Sequence, residues 1–256
     1  MNVKMKALIA AAVAAISVSG AANAALTTGA TGSSSLVLAV WDVTNKISTV
    51  FDLGIDYAGF AFGSAGSSAS MSWDMSAGDY ADTWNAIFGN PALGTDVRWG
   101  VVATDYNGSI NVAGSMGFIS TTKEGQKLPA NLAMGQFGAP MAQFDKYLVD
   151  NNAKGNVADA GNGYAGTFFT AYKLFNFGPI VLDQLGKEQE VVQYFSAAGS
   201  RPGSYMAYVE YDATFKLDAN GLLTYTVAAV PEPETYALLL AGLGLVGFAA
   251  RRRKSA

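Results

Sequence analysis

The sharpest pattern in the chain is a strict alternation from Ser204 to Leu217. Tyr205, Ala207, Val209, Tyr211, Ala213, Phe215 and Leu217 take one face; Met206, Tyr208, Glu210, Asp212, Thr214 and Lys216 take the other. A period of two predicts a half-buried strand. Asp218 to Gly221 offers turn residues and Leu222 to Val227 returns, so the two runs predict a hairpin. Leu36 to Trp41 is apolar at every position, which suits a strand buried on both faces. Asp42 to Asn45 reads as its turn and Ile47 to Leu53 as its partner. Asp96 to Thr104 places Val97, Trp99 and Val101 on one face, with a turn at Asp105 to Gly108 and a partner strand at Ser109 to Ile119. Met71 and Trp73 share a face of a short strand, and Thr167 to Phe177 reads as a further one. Gly54 to Ser70 is rich in small residues, with Phe60 and Phe62 at strand spacing, and predicts a loop with an edge strand.

The period changes twice. Trp84, Ile87 and Phe88 fall at helical spacing after Asp79, a suitable N-cap, and Gly89, Asn90 and Pro91 end that helix. Met141, Phe144, Tyr147 and Leu148 form a second helical stripe behind Pro140, over Pro140 to Val149. Ala153 to Gly166 reads as a long polar loop. Frequent turns, short helices and 29 glycines predict a mainly β fold: an antiparallel β-sandwich of jelly-roll type with two short helices. No repeat of 20–50 residues appears.

The two ends follow other rules. Lys4 and Lys6 precede an apolar, Ala-rich run from Ala7 to Val18, and Ala22-Asn23-Ala24 is an A-x-A site. This predicts a secretory signal peptide over 1–24, with cleavage after Ala24 by signal peptidase following passage through the Sec translocon. Residues 25–35 read as a flexible lead, and 36–230 as the exported β-rich domain. At the other end Pro231, Glu232 and Pro233 form an extended tripeptide, since each proline fixes φ and lacks an N–H. Thr235 to Ala250 carries no charge, which predicts a short transmembrane helix. Arg251, Arg252, Arg253 and Lys254 follow, and such a cluster holds its end in the cytoplasm. The order of these parts resembles the PEP-CTERM sorting signal of Gram-negative bacteria. Pro231, Glu232 and Pro233 match its motif, Thr235 to Ala250 its membrane span, and Arg251 to Arg253 its basic end. The resemblance covers about a tenth of the chain. It implies processing by a membrane-embedded exosortase and delivery to the cell surface or an exopolysaccharide matrix. It implies nothing about the fold upstream.

Composition narrows the chemistry. The two ends hold six of the 16 basic residues and two of the 20 acidic ones, which leaves 10 against 18 and a net charge of −8 for residues 25–230. That balance argues against nucleic acid, whose phosphates need a basic face. The chain has no cysteine and no histidine. Ser-His-Asp and Cys-His triads are therefore excluded, as are imidazole-ligated zinc and copper sites. These absences favour a non-enzymatic structural or interaction role over catalysis. Paired carboxylates remain: Glu210 and Asp212 share a strand face, about 6.5–7 Å apart by strand geometry, against roughly 5–5.5 or 6.5–9.5 Å in glycosidases. Glu188 and Glu190 read as a solvated patch.

Two further resources are oxygen ligands and aromatics. Asp150, Asn151, Asn152, Asn156, Asp159 and Asn162 offer the donors that calcium takes, as do Asp218 and Asn220, although neither loop has EF-hand spacing. The competing account is that turns are simply built from Asn, Asp and Gly. Trp41, Trp73, Trp84 and Trp99 read mostly as core, whereas Tyr208, on the polar face of its strand, is the candidate for stacking on a glycan. Calcium at Asp150, Asn152 and Asp159 predicts a melting temperature raised by calcium over EGTA; an unchanged one returns these residues to turn chemistry.

Overall fold

A computed structural model describes residues 16–17, 26–45, 47–89, 94–108, 112–125, 182–197 and 203–228, together with 133, 141–142, 144–145, 148, 157–160, 199 and 201. The strands are β1 Ile16–Ser17, β2 Ser35–Asp42, β3 Ile47–Asp56, β4 Met71–Asp74, β5 Val97–Asp105, β6 Gly117–Lys123, β7 Val157–Ala160, β8 Asp183–Gln184, β9 Glu188–Phe195, β10 Ala207–Leu217 and β11 Leu222–Val227. Two short helices are described, α1 Tyr57–Phe60 and α2 Ala81–Phe88.

β2 buries all eight of its residues, as its unbroken apolar run predicts. It pairs antiparallel with β3 on one side and β5 on the other. The hairpins β2–β3, β5–β6 and β10–β11 join consecutive strands. The whole forms one sheet in the order β1-β4-β11-β10-β9-β6-β5-β2-β3-β7, with β8 alongside the first part of β5. Every neighbouring pair is antiparallel except β1 with β4. The sandwich expectation is corrected here. There are not two stacked sheets but one, curled until it nearly closes into a barrel. The seam is bridged by side chains: Trp73 on β4 donates its indole N–H to the Leu53 carbonyl on β3 at 3.0 Å, and the Tyr80 hydroxyl donates to the Asp52 carbonyl at 2.7 Å.

Alternation then divides the apolar residues between two faces. Leu36, Leu38 and Val40 join Phe51, Trp99, Val101, Phe215 and Tyr225 inside the curl. Val37, Ala39 and Trp41 join Val102, Phe118, Val192 and Tyr194 outside it. Each such side chain contributes about 1.5–3 kcal/mol when fully buried. Phe60 sits 4.9 Å from Tyr225, 5.7 Å from Phe215 and 6.0 Å from Tyr211, so the inner core is largely aromatic. The outer cluster is capped by Met141, Phe144 and Leu148, helical residues of the predicted stripe and all buried. Asp145, between them, accepts hydrogen bonds from the Gly29 and Ala30 amides at 2.8 and 2.6 Å. Those amides belong to a 3-10 turn, Gly29–Thr31, behind buried Leu26. Part of the segment read as a flexible lead therefore packs on the outer cluster. All four tryptophans are buried.

Other expectations change for identifiable reasons. Phe60 and Phe62 do not share a strand. Asp56 caps a helical turn by accepting from Gly59 N at 2.7 Å, which turns Phe60 into the core and leaves Phe62 exposed. Asp79 lies within a 3-10 turn, Gly78–Tyr80, instead of capping α2. The strand expected at 109–119 lies at Gly117–Lys123, after a turn in which Ser115 bonds Val112. Part of the polar loop at 153–166 is strand β7, paired with β3. The strand expected at 167–177 and the transmembrane helix at 235–250 lie outside the described residues, among which no helix is long and apolar enough to cross a membrane.

The β2–β3 turn depends on one carboxylate. Asp42 is 1 % exposed and accepts from Thr44 N, Asn45 N, Asn45 Nδ2 and Gly94 N, at 3.0, 3.1, 2.7 and 2.8 Å. Burial raises its pKa, but the hydrogen bonds outweigh burial and hold the carboxyl below its usual 3.8. A depressed folded value stabilises above the unfolded one and is lost as pH falls through the folded one. Asp42→Ala is expected to cost about 1–3 kcal/mol at neutral pH. In denaturant titrations the gap from the parent should narrow only below the usual carboxylate value; a gap independent of pH would mean that charge is not what holds the turn.

Candidate functional site

β9 runs between β6 and β10, and its pairing with β10 breaks once. Glu210 lies opposite Val192 and Thr214 opposite Glu190, so three residues of β10, 211–213, face Val191 alone. This is a β-bulge of the larger, special kind, with two extra residues on β10, a device that re-aims side chains. It is pinned from inside the curl. The Tyr211 hydroxyl donates to one acceptor of the pair formed by the Phe60 carbonyl and Gln193 Oε1, both 3.0 Å away. Gln193 also accepts from Phe62 N at 2.8 Å and donates to the Tyr57 hydroxyl at 2.8 Å. Burial, the nearby Gln193 notwithstanding, pushes the Tyr57 phenol up to about 12. Burial also raises Tyr211, with Tyr57 and Tyr225 adding to it, so these phenols stay neutral donors.

With Tyr211 held inward, its neighbours Glu210 and Asp212 stand exposed on the outer face. They line a cleft of about 180 Å³ with Glu190, Thr122, Val192 and Thr214. Register explains the company: Thr122 on β6 lies opposite Glu190, which lies opposite Thr214. Thr122 is 1 % exposed and its hydroxyl has no hydrogen-bond partner among the described residues. Glu190 accepts from Gly125 N at 3.3 Å. On the same face an aromatic row crosses three strands. Phe118 stacks on Tyr194 at 5.3 Å, and Tyr194 on Tyr208 at 5.2 Å. Burial raises the Tyr194 phenol, and Tyr208 and Glu210 add to the effect. Tyr208 is 38 % exposed. β11 ends at Val227, opposite Ala213, so no described strand flanks Tyr208 on that side.

The residues singled out from sequence divide sharply. Glu210 and Asp212 line one cleft, and Tyr208 is exposed on the same strand face outside that lining. Asp159 lies in β7, opposite Ser48, and not in a loop, while Asp150 and Asn152 lie outside the described residues. Asp218 faces Lys216, whose Nζ is 3.7 Å away. Ala22, Ala24, Pro231, Glu232, Pro233, Arg251, Arg252 and Arg253 also lie outside the described residues. Among the described residues no three carboxylates are placed to hold a metal ion. Glu190, Thr122 and Tyr194 are the additions that sequence reading missed. Glu190 belongs to a central strand, not to a solvated patch, because Gln189 and Gln193 occupy inward positions that usually carry apolar residues. The signal was there as an alternation of Gln189, Val191 and Gln193 with Glu190, Val192 and Tyr194.

Residues 229–254 match the PEP-CTERM protein-sorting motif. No curated protein and no solved structure matches the chain. The motif implies an exported protein that an exosortase processes at a membrane.

The bulge should respond to the loss of one atom. Tyr211→Phe keeps the ring and removes the hydroxyl, which takes a buried donor from the Phe60 carbonyl or from the Gln193 oxygen, the latter keeping only the Phe62 amide. The expected cost is about 1–3 kcal/mol, a fall of several degrees in melting temperature. An unchanged melting temperature would mean that the hydroxyl does not pin the bulge.

Proposed function

We propose that the chain is a non-enzymatic protein of the cell surface or extracellular matrix of a Gram-negative bacterium. Its β domain is exported through the Sec translocon, trimmed by signal peptidase at Ala24, held at the inner membrane by residues 235–250, and released or attached by an exosortase. The observation that carries this reading is the match of residues 229–254 to the sorting motif. The missing histidine and cysteine support the absence of catalysis, since the common nucleophilic triads need one or both. Pro231, Glu232 and Pro233 serve recognition, and Arg251 to Arg253 serve orientation. The reading needs no cofactor.

A second reading is favoured by the bulge cleft: contact with carbohydrate, either as a binding module or as a carboxylate-dependent enzyme acting on exopolysaccharide. An exposed tyrosine ring two residues along the strand from Glu210, whose cleft also holds Glu190 and Asp212, is the pairing of apolar face and hydrogen-bond acceptors that sugars need. Reducing ends released from polysaccharide by the protein, and lost with Glu210→Gln, would make it an enzyme.

The sorting reading is tested by intact mass of the protein recovered from the outer surface or medium of its host. The expected mass begins at Ala25 and lacks Arg251 to Ala256. Glu232→Ala is expected to leave the domain folded and to retain those last residues. Complete processing of that variant, or a parent that keeps its basic tail, would overturn the assignment.

A further inference from the structure

We infer that the cleft at the β10 bulge is a binding site for an amino sugar, a pyranose bearing a protonated amine. The inference deepens the carbohydrate reading of the same cleft, and it stands on the domain's geometry, not on the sorting motif. Three observations carry it.

The first is charge. Glu190, Glu210 and Asp212 line one small cleft, and no lysine or arginine is among the lining residues. The nearest basic residue on the strand, Lys216, is turned to Asp218. Three carboxylates without a counter-ion repel uronates and other anionic sugars and attract a cation. A bare metal ion does not fit, because these carboxylates do not converge on one point. An organic ammonium donates several hydrogen bonds in different directions and needs no such convergence.

The second is Thr122. Its hydroxyl is buried in the cleft wall without a partner among the described residues. A polar group left so is costly, and a hydroxyl of a bound ligand would satisfy it. A simple alkylammonium has none to offer; a sugar has several.

The third is the aromatic row. Tyr208 is backed by Tyr194, itself backed by Phe118, so its ring is held in place two residues along β10 from Glu210, on the same strand face, outside the cleft lining. A rigid ring with an open side suits the C–H face of a pyranose. The cleft, at about 180 Å³, is smaller than the roughly 300–1,000 Å³ of drug-sized pockets and admits one ring, not a long oligomer.

The test is titration calorimetry of the processed protein at neutral pH with glucosamine, N-acetylglucosamine, glucose and cadaverine. Glucosamine is expected to bind saturably with a Kd of about millimolar, and the other three at least tenfold more weakly. Glu210→Gln with Asp212→Asn should abolish binding, and Tyr208→Ala and Thr122→Val should each weaken it several-fold with the melting temperature retained. Equal binding of glucosamine and N-acetylglucosamine would overturn the amine and leave a neutral-sugar site. Cadaverine as tight as glucosamine would overturn the sugar. No saturable binding by any of the four would overturn this site and the carbohydrate reading together, whatever the mass measurement says of sorting.

Discussion

The bond from the Trp73 indole to the Leu53 carbonyl is small, but the architecture turns on what it closes. A sheet whose central strands are apolar on both faces must cover both. Curling covers one face with the sheet's own residues, and the curl holds only if its two edges meet. Here they are joined through side chains: among the described residues β3 and β4, each one strand in from an end of the order, share no backbone ladder, and Trp73 and Tyr80 reach across instead. Phe51 packs edge-on to Tyr80 at 5.8 Å, and Trp73 stacks on Phe215 at 6.2 Å, so the donors at the seam are themselves core residues. The other face cannot be covered this way. It takes the helical residues Met141, Phe144 and Leu148, tied to the start of the domain through Asp145.

The same closure explains the cleft. Inside a narrow curl, Gln193 and three tyrosine hydroxyls replace apolar volume, and they must find one another. Gln193 satisfies Tyr57, Tyr211 and the Phe62 amide at once. Tyr211 reaches that hub from the first position of the bulge, where 211–213 face one residue of β9. An internal hydrogen bond therefore sets the outward geometry of Glu210 and Asp212. A regular strand would have set them on an evenly spaced ladder; the bulge sets them over Thr122 and Glu190.

How much of this was legible follows from how burial writes itself in sequence. β2, β10 and β11 declared themselves because one face or both are uniformly apolar. The 140–149 stripe did so because its covering role needs only one helical face. β9 was hidden by two buried glutamines, whose partners Trp99 O and the Tyr57 hydroxyl lie 90 and 136 residues away in the chain. No local pattern records such a partner. The sandwich expectation failed for a related reason. Alternation reports which residues are buried, but sandwich and curled sheet bury the same residues, and the choice rests on the contact between two edges. Of the cleft, Glu210 and Asp212 were legible as one face, with Tyr208 beyond its lining on that face; Glu190 and Thr122 were not, because strand neighbours are set by register.

The tail obeys a different logic, and the separation has a physical meaning. Both core clusters draw their residues from Leu26 to Val227, and the sorting motif begins at residue 229. No described core residue belongs to the tag. A signal that an exosortase processes is best kept apart from the cooperative fold, because a domain holds its stability only in small excess. The hairpin β10–β11 carries backbone pairing up to Val227, two residues before the sorting motif begins. The function of this domain has to be sought in its own surface, where the bulge gathers its charge.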